Sequence, residues 1–118
     1  MTSALKTLTP TATEPQRIDF DFNSASPFTL FNLLADDTID KVEVSITEAF
    51  DDPAATLELG TVANSSLIFS TSEIDPGQVA DYVNDQNNVI TLAEILRLLI
   101  TPGTSTQGKG FVLLTIRR

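Results

Sequence analysis

Two-residue alternation of apolar and polar side chains runs through much of this chain and limits its fold more than any other feature. Val42, Val44 and Ile46 alternate with Lys41, Glu43, Ser45 and Thr47, and Ile18, Phe20 and Phe22 alternate with Arg17, Asp19 and Asp21. Successive side chains of a strand point to opposite faces, so this period marks half-buried strands with one apolar face. Val112, Leu114 and Ile116 repeat the pattern, with Phe111, Leu113 and Thr115 on the other face. Residues 56–59 alternate again, and 28–33 form an apolar segment that reads as buried on both sides. Turn chemistry separates these runs at Asn23 to Pro27, Ala35 to Thr38, Asp51-Asp52-Pro53 and Asp75-Pro76-Gly77. A short apolar piece, 67–69, precedes the last of these; 78–83 is too short to assign, and Asn84 to Asn88 reads as a polar turn.

Residues 89–101 admit two periods. Leu92, Ile95, Leu96 and Leu99 match helical spacing, with Ala93, Glu94 and Arg97 as good helix formers. In extended form, Leu92, Leu96, Leu98 and Ile100 share one face, and Ile95, Arg97 and Leu99 share the other. The strand is preferred for 94–101, with room for a helical turn before it. It would then be the hairpin partner of 110–117 across the Gly- and Thr-rich TPGTSTQGKG loop. Six to eight short strands at intervals of roughly ten residues, with little helix, predict an all-β chain, an antiparallel β-sandwich or jelly roll.

The first fifteen residues differ in composition. They hold five threonines, two prolines and two alanines, with Leu5 and Leu8 as the large aliphatic side chains. Pro10 and Pro15 block helix and favour extended backbone before them. Residues 1–15 are therefore expected to be an extended N-terminal arm on a β-sandwich domain of 16–118. Such an arm is either disordered or ordered on a neighbouring subunit.

Composition excludes much chemistry. The 118 residues include 7 basic and 16 acidic side chains, a formal charge of −9, and no histidine, cysteine or tryptophan. The usual zinc ligand sets, a thiol nucleophile, an imidazole base and a disulfide framework are all ruled out. No cofactor or metal is expected, and no enzymatic activity. Nucleic acid is a poor partner for so acidic a chain, whose basic residues are scattered singly apart from Arg117-Arg118. No apolar run is long enough to span a membrane, and no signal sequence is evident, so synthesis in a cytoplasm is expected.

Carboxylates are the one abundant reactive group. Asp36, Asp37 and Asp40, and Asp51 with Asp52, are dense clusters, but they read as turn residues bonding the local backbone. A glycosidase would need two carboxylates about 5 to 10 Å apart in a sugar cleft, and Asp37-Thr38-Ile39 departs from the Asp-Thr-Gly of an aspartic dyad. Asp81, Asn84, Asp85 and Asn88 have the oxygens of a calcium loop without its glycine and closing glutamate. Gly108-Lys109-Gly110 lacks the remainder of a phosphate loop and reads as the hairpin turn. Most of the seven phenylalanines fall on core faces. Phe31 beside Leu30 and Phe111 beside Val112 put apolar groups on both faces of a strand, which marks them as candidate subunit-interface residues together with Thr7, Leu8, Thr9, Thr11 and Thr13 of the arm.

The run VEVSITEAFDDPAATLELG, a Val/Ile-alternating strand followed by Phe-Asp, a turn and a Thr-Leu-Glu-Leu-Gly strand, resembles a module of small virion proteins of tailed bacteriophages. The C-terminal segment from Ile100 to Ile116 is similar to that module's closing hairpin, and with the strand at 18–22 the resemblance covers most of 16–118. It carries no site motif, and the helix-like LAEILRLL departs from it. The resemblance implies a capsid cement or decoration protein that binds and stabilises the assembled shell, located in the virion. Its partners would be the major capsid protein or another virion protein and further copies of itself, as a homotrimer at local threefold positions. The alternatives are a tail, neck or fibre component, or a carbohydrate-binding sandwich, the last disfavoured by a single tyrosine and no tryptophan.

Overall fold

A computed structural model of the chain describes residues 15–117. Among them the alternating segments form seven strands: β1 (Gln16–Asp21), β2 (Phe28–Leu33), β3 (Thr38–Glu48), β4 (Thr56–Thr61), β5 (Ala80–Val89), β6 (Glu94–Thr101) and β7 (Lys109–Arg117). No helix occurs among the described residues. The strands make two antiparallel sheets, one in the order β1-β7-β3-β5 and the other β2-β6-β4. Every connection therefore leaves one sheet and enters the other. This is the winding of a jelly roll, ordinarily eight strands in two Greek keys, with one strand reduced. The reduced strand lies beside β4, where a single antiparallel bridge joins Leu59 to Phe69.

The core lies between the sheets, where the alternation places it. Phe20, Val42, Val44, Ile46, Val112 and Leu114 point inward from the four-stranded sheet and meet Leu33, Leu57, Leu59, Leu96, Leu98 and Ile100 from the three-stranded one. Phe50, Ile68, Phe69, Ile74 and Ile90, all from connections, close its margins. Residues 94–101 are a strand, with Leu96, Leu98 and Ile100 buried and Ile95 exposed. The residues before it form a bend instead of a helical turn.

The predicted hairpin between β6 and β7 does not form. β6 lies between β2 and β4, whereas β7 lies between β1 and β3, so 102–108 crosses from sheet to sheet. Gly108 serves that crossing instead of a hairpin turn. Its φ is +139°, and a Cβ there would run into the Phe50 ring; a Cβ on Gly110 would strike the Ser45 carbonyl. Local proximity favours a hairpin, but the apolar faces of both segments are buried only when they sit in opposite layers.

The polar turn expected at Asn84 to Asn88 is the second half of β5, an edge strand paired with β3. Its inward side chains meet the backbone of the 62–79 connection, which replaces the reduced strand. Asn84 Nδ2 donates to the Ile68 carbonyl at 2.7 Å, and the Tyr82 hydroxyl accepts from the Asp75 amide at 3.1 Å. Polar residues are correct there because the neighbour is a row of carbonyl and amide groups, and this hides the strand from an apolar-alternation test. Asp40 also departs from the turn assignment: it sits in β3 at a register shift and accepts from Arg117 Nε on both oxygens, at 2.9 and 2.8 Å.

Candidate interaction surface

The candidate interface residues Thr7, Leu8, Thr9, Thr11 and Thr13 lie outside the described residues. Phe31 and Phe111 occupy opposite layers. A register shift in β2 between Thr29 and Phe31 breaks the alternation, so both Leu30 and Phe31 turn toward the interior, and Phe31 packs half-buried against the core. The bulge explains how two adjacent apolar residues occur in one strand.

Phe111 lies on the outer face of the four-stranded sheet. Antiparallel register places Asp19, Phe111, Ser45 and Asp81 in one row across it, beside a row of Arg17, Leu113, Glu43 and Val83. The Arg17 guanidinium lies over the Phe111 ring, 3.9 Å from its centroid, and its Nε donates to Asp19 at 3.0 Å. Cation and ring attract through the ring quadrupole. Ser45 donates its hydroxyl to Asp81 at 2.5 Å. This face is a mosaic of half-buried apolar groups under a charged cover.

The carboxylates of the β3–β4 connection are committed to the fold. Asp51 accepts from the Thr106 amide and hydroxyl, and Asp52 from the amides of Thr104 and Ala54 and the Thr104 hydroxyl. Both pKa values are lowered from the ordinary aspartate value, Asp51 chiefly by the Thr106 hydroxyl and Asp52 chiefly by the Thr104 amide. Asp81, Asn84, Asp85 and Asn88 do not converge as a cation loop would. They lie on β5 with Asp81 and Asp85 exposed on its outer side and Asn84 and Asn88 half-buried on its inner side. Among the described residues no group of three or more Asp or Glu is placed to hold a metal ion.

Sequence reasoning passed over a more exposed apolar surface. At one end of the three-stranded sheet, the β2–β3 turn, the start of the 62–79 connection and the β5–β6 turn bring Leu34, Val62, Leu92 and Ile95 to the surface, with Leu92 75% exposed. The turns are held together by reciprocal backbone bonds of 2.7 Å, Asp36 N to the Ile90 carbonyl and Ile90 N to the Asp37 carbonyl. Two adjoining hollows of about 550 and 200 Å³ open there and share Ala93, Glu94 and Ile95 as lining. The sequence signal was available: Leu34, Val62 and Leu92 are apolar residues just past strand ends or within a turn, where polar groups are usual.

No protein-family model and no curated protein matches the chain. Two solved structures share its fold. One is a chain of the acidic stable capsid structure of the Helicobacter pylori bacteriophage KHP30, with a TM-score of 0.71 at 10% identity, covering 92% of this chain and 90% of that one. The other is a chain of the cyanophage Pam1 capsid asymmetric unit, with a TM-score of 0.64 at 18% identity, covering 96% of this chain and 93% of that one. At these identities the likeness is one of fold: the jelly-roll sandwich described above also occurs in chains of two bacteriophage capsids.

Proposed function

We propose that this chain is a structural protein of a tailed-phage virion, and within the virion a capsid cement or decoration protein that stabilises the assembled shell. The observation that carries this reading is the two-way overlap with the capsid chains. It spans nine-tenths or more of every chain compared, so in both capsids the counterpart is a chain of similar length and not a domain of a larger one. The role is not enzymatic: the sequence has no histidine or cysteine, and Asp51 and Asp52 are engaged in holding a loop.

A protein of this kind acts by mass action. Binding the assembled lattice and not the free subunits stabilises the lattice by the free energy of occupancy, and repetition over the shell multiplies the effect. The contact surfaces are the arm residues Thr7, Leu8, Thr9, Thr11 and Thr13 and the outer face of the four-stranded sheet marked by Phe111, and the working unit is a homotrimer at local threefold positions. The major capsid protein is the partner.

The test is copy number in the purified particle, measured by quantitative mass spectrometry against the shell protein. Hundreds of copies, in fixed ratio to the shell protein, are expected. A few to a few dozen would reassign the chain to the tail, neck or fibre. Removing residues 2–14 is expected to abolish attachment to particles while leaving the circular dichroism spectrum of the sandwich intact, and normal attachment would eliminate the arm as a contact.

A further inference from the structure

We infer that the apolar end of the three-stranded sheet is the seat of this chain's own N-terminal arm, which lies across it and turns a row of threonines outward. Single exposed hydrophobics are ordinary, but contiguous ones mark interaction sites. Of the seven exposed large hydrophobics among the described residues, Leu34, Val62, Leu92 and Ile95 gather here. They surround two hollows that share one acidic residue, Glu94.

The arm joins the body beside them. Gln16 pairs with Leu114, three residues before β7 ends, and Thr38 at the start of β3 pairs with Arg117, so β1 begins at the end of the sandwich that carries the hollows. β1 and β2 are edge strands of the two sheets joined by 22–27, which puts the start of β1 on the side where β2 runs out to Leu34. Packed sheets lie about 10 Å apart, and the stretch from Pro15 back to Leu8 spans up to about 25 Å. Leu8 therefore reaches either hollow.

The arm also has the face that the hollows need. In extended form Thr7, Thr9, Thr11 and Thr13 fall on one side of it, and Leu8, Pro10 and Ala12 on the other. Laying the second side over the hollows covers apolar surface and leaves four threonines in a row facing out. Lys6, the one charged side chain up to Thr13, falls on the same side as Leu8 and brings a cation to the surface that holds Glu94.

Tethering selects the chain's own arm over that of another copy. A short tether holds its end at an effective concentration in the millimolar range, so another copy's arm competes only when the chain itself is that concentrated. The inference deepens the proposed role of the arm and rests on it for one step, that the threonines meet the shell. An arm already seated loses less freedom on attachment.

The chain's lack of cysteine makes the test direct. Full-length Leu8→Cys/Val62→Cys and Leu8→Cys/Asp85→Cys chains are oxidised at micromolar concentration, and the bonds formed are mapped by mass spectrometry. Asp85 is the control because it is exposed on the outer face of the four-stranded sheet, one row from Gln16 and three strands from β1. That separation is about 14 Å, so an arm that is not seated reaches Asp85 as well as Val62. An intrachain bond is expected to form roughly tenfold faster at Val62 than at Asp85, at a rate that does not change on dilution. Adding Leu92→Asp to the Val62 pair is expected to slow it to the Asp85 rate. Equal rates at the two positions, a rate unmoved by Leu92→Asp, or disulfide-linked dimers in place of the intrachain bond overturns the inference. Because these experiments use the isolated chain, a low copy number in the particle would remove the shell role and leave the docking standing, so the two failures are distinguishable.

Discussion

Asp51 accepts two hydrogen bonds from Thr106, one from its amide at 2.7 Å and one from its hydroxyl at 2.6 Å, across 55 residues of sequence. Asp52 beside it holds Thr104 in the same loop. These bonds favour the ionised carboxylates and lower both pKa values in the folded state. A group whose folded pKa is depressed contributes stability above its unfolded pKa and loses that contribution as pH falls through the folded value. Asp51→Asn and Asp52→Asn are therefore expected to be less stable than the native chain at pH 7, with the difference shrinking below about pH 4. Urea unfolding midpoints between pH 2.5 and 7 check this. A difference independent of pH would remove ionisation from the explanation.

The two faces of β6 make a second prediction. Leu98 is fully buried at the centre of the three-stranded sheet, opposite Phe28 on one side and Leu59 on the other, whereas neighbouring Leu99 is only half-buried on the outer face. Leu98→Ala is expected to cost about 2–5 kcal/mol through lost burial and a residual cavity. Leu99→Ala, whose side chain stays partly in water, is expected to cost about 1 kcal/mol or less. Denaturant titration of both variants separates them, and equal costs would contradict the strand register.

Gly108 makes a third. Its positive φ disfavours any L side chain, and the space a Cβ would occupy belongs to Phe50. Gly108→Ala is expected to destabilise by more than about 1 kcal/mol, since the native conformation is incompatible with the new residue. Pairing it with Phe50→Leu is expected to recover part of the loss, because the ring is removed while the backbone strain remains. Thermal unfolding of the single and double variants measures the recovered share.

These positions also show what was legible from sequence. Val42, Val44, Ile46, Val112, Leu114 and Ile116 declared both their strands and their faces, because a buried face must be apolar at every second residue. β5 was hidden because its inner residues bond to backbone, as Asn84 does to Ile68, and its exposed Val83 and Val89 invert the usual pattern. The β6–β7 crossing was misread because alternation reports a face without reporting which sheet supplies the opposing one. Of the candidate interface residues, Phe111 reached the outer face implied by its strand's pattern. Phe31 was drawn toward the core by a bulge that leaves no mark in a two-residue period. The hollows around Glu94 were unreadable for a different reason: they exist only where three connections, distant in sequence, meet.

The C-terminal end of β7 supplies the last prediction. Arg117 Nε donates to both oxygens of Asp40 on β3, and its Nη2 donates to Asn87 on β5 at 3.2 Å, so one guanidinium spans three neighbouring strands. The pair is only partly shielded, with Arg117 41% and Asp40 25% exposed, so solvent screens much of the attraction. A double-mutant cycle of Arg117→Ala and Asp40→Ala is expected to give a coupling of about 0.5–1 kcal/mol, at the upper end for surface pairs. Arg117→Lys is expected to lose most of it, because an ammonium lacks the separate nitrogens that serve Asp40 and Asn87 together. The coupling is expected to shrink as salt is raised from 0.01 to 1 M, over which the screening length falls from about 30 to 3 Å. A coupling unchanged across that range would mean that the pair acts through packing of the arginine stem against the sheet edge and not through charge.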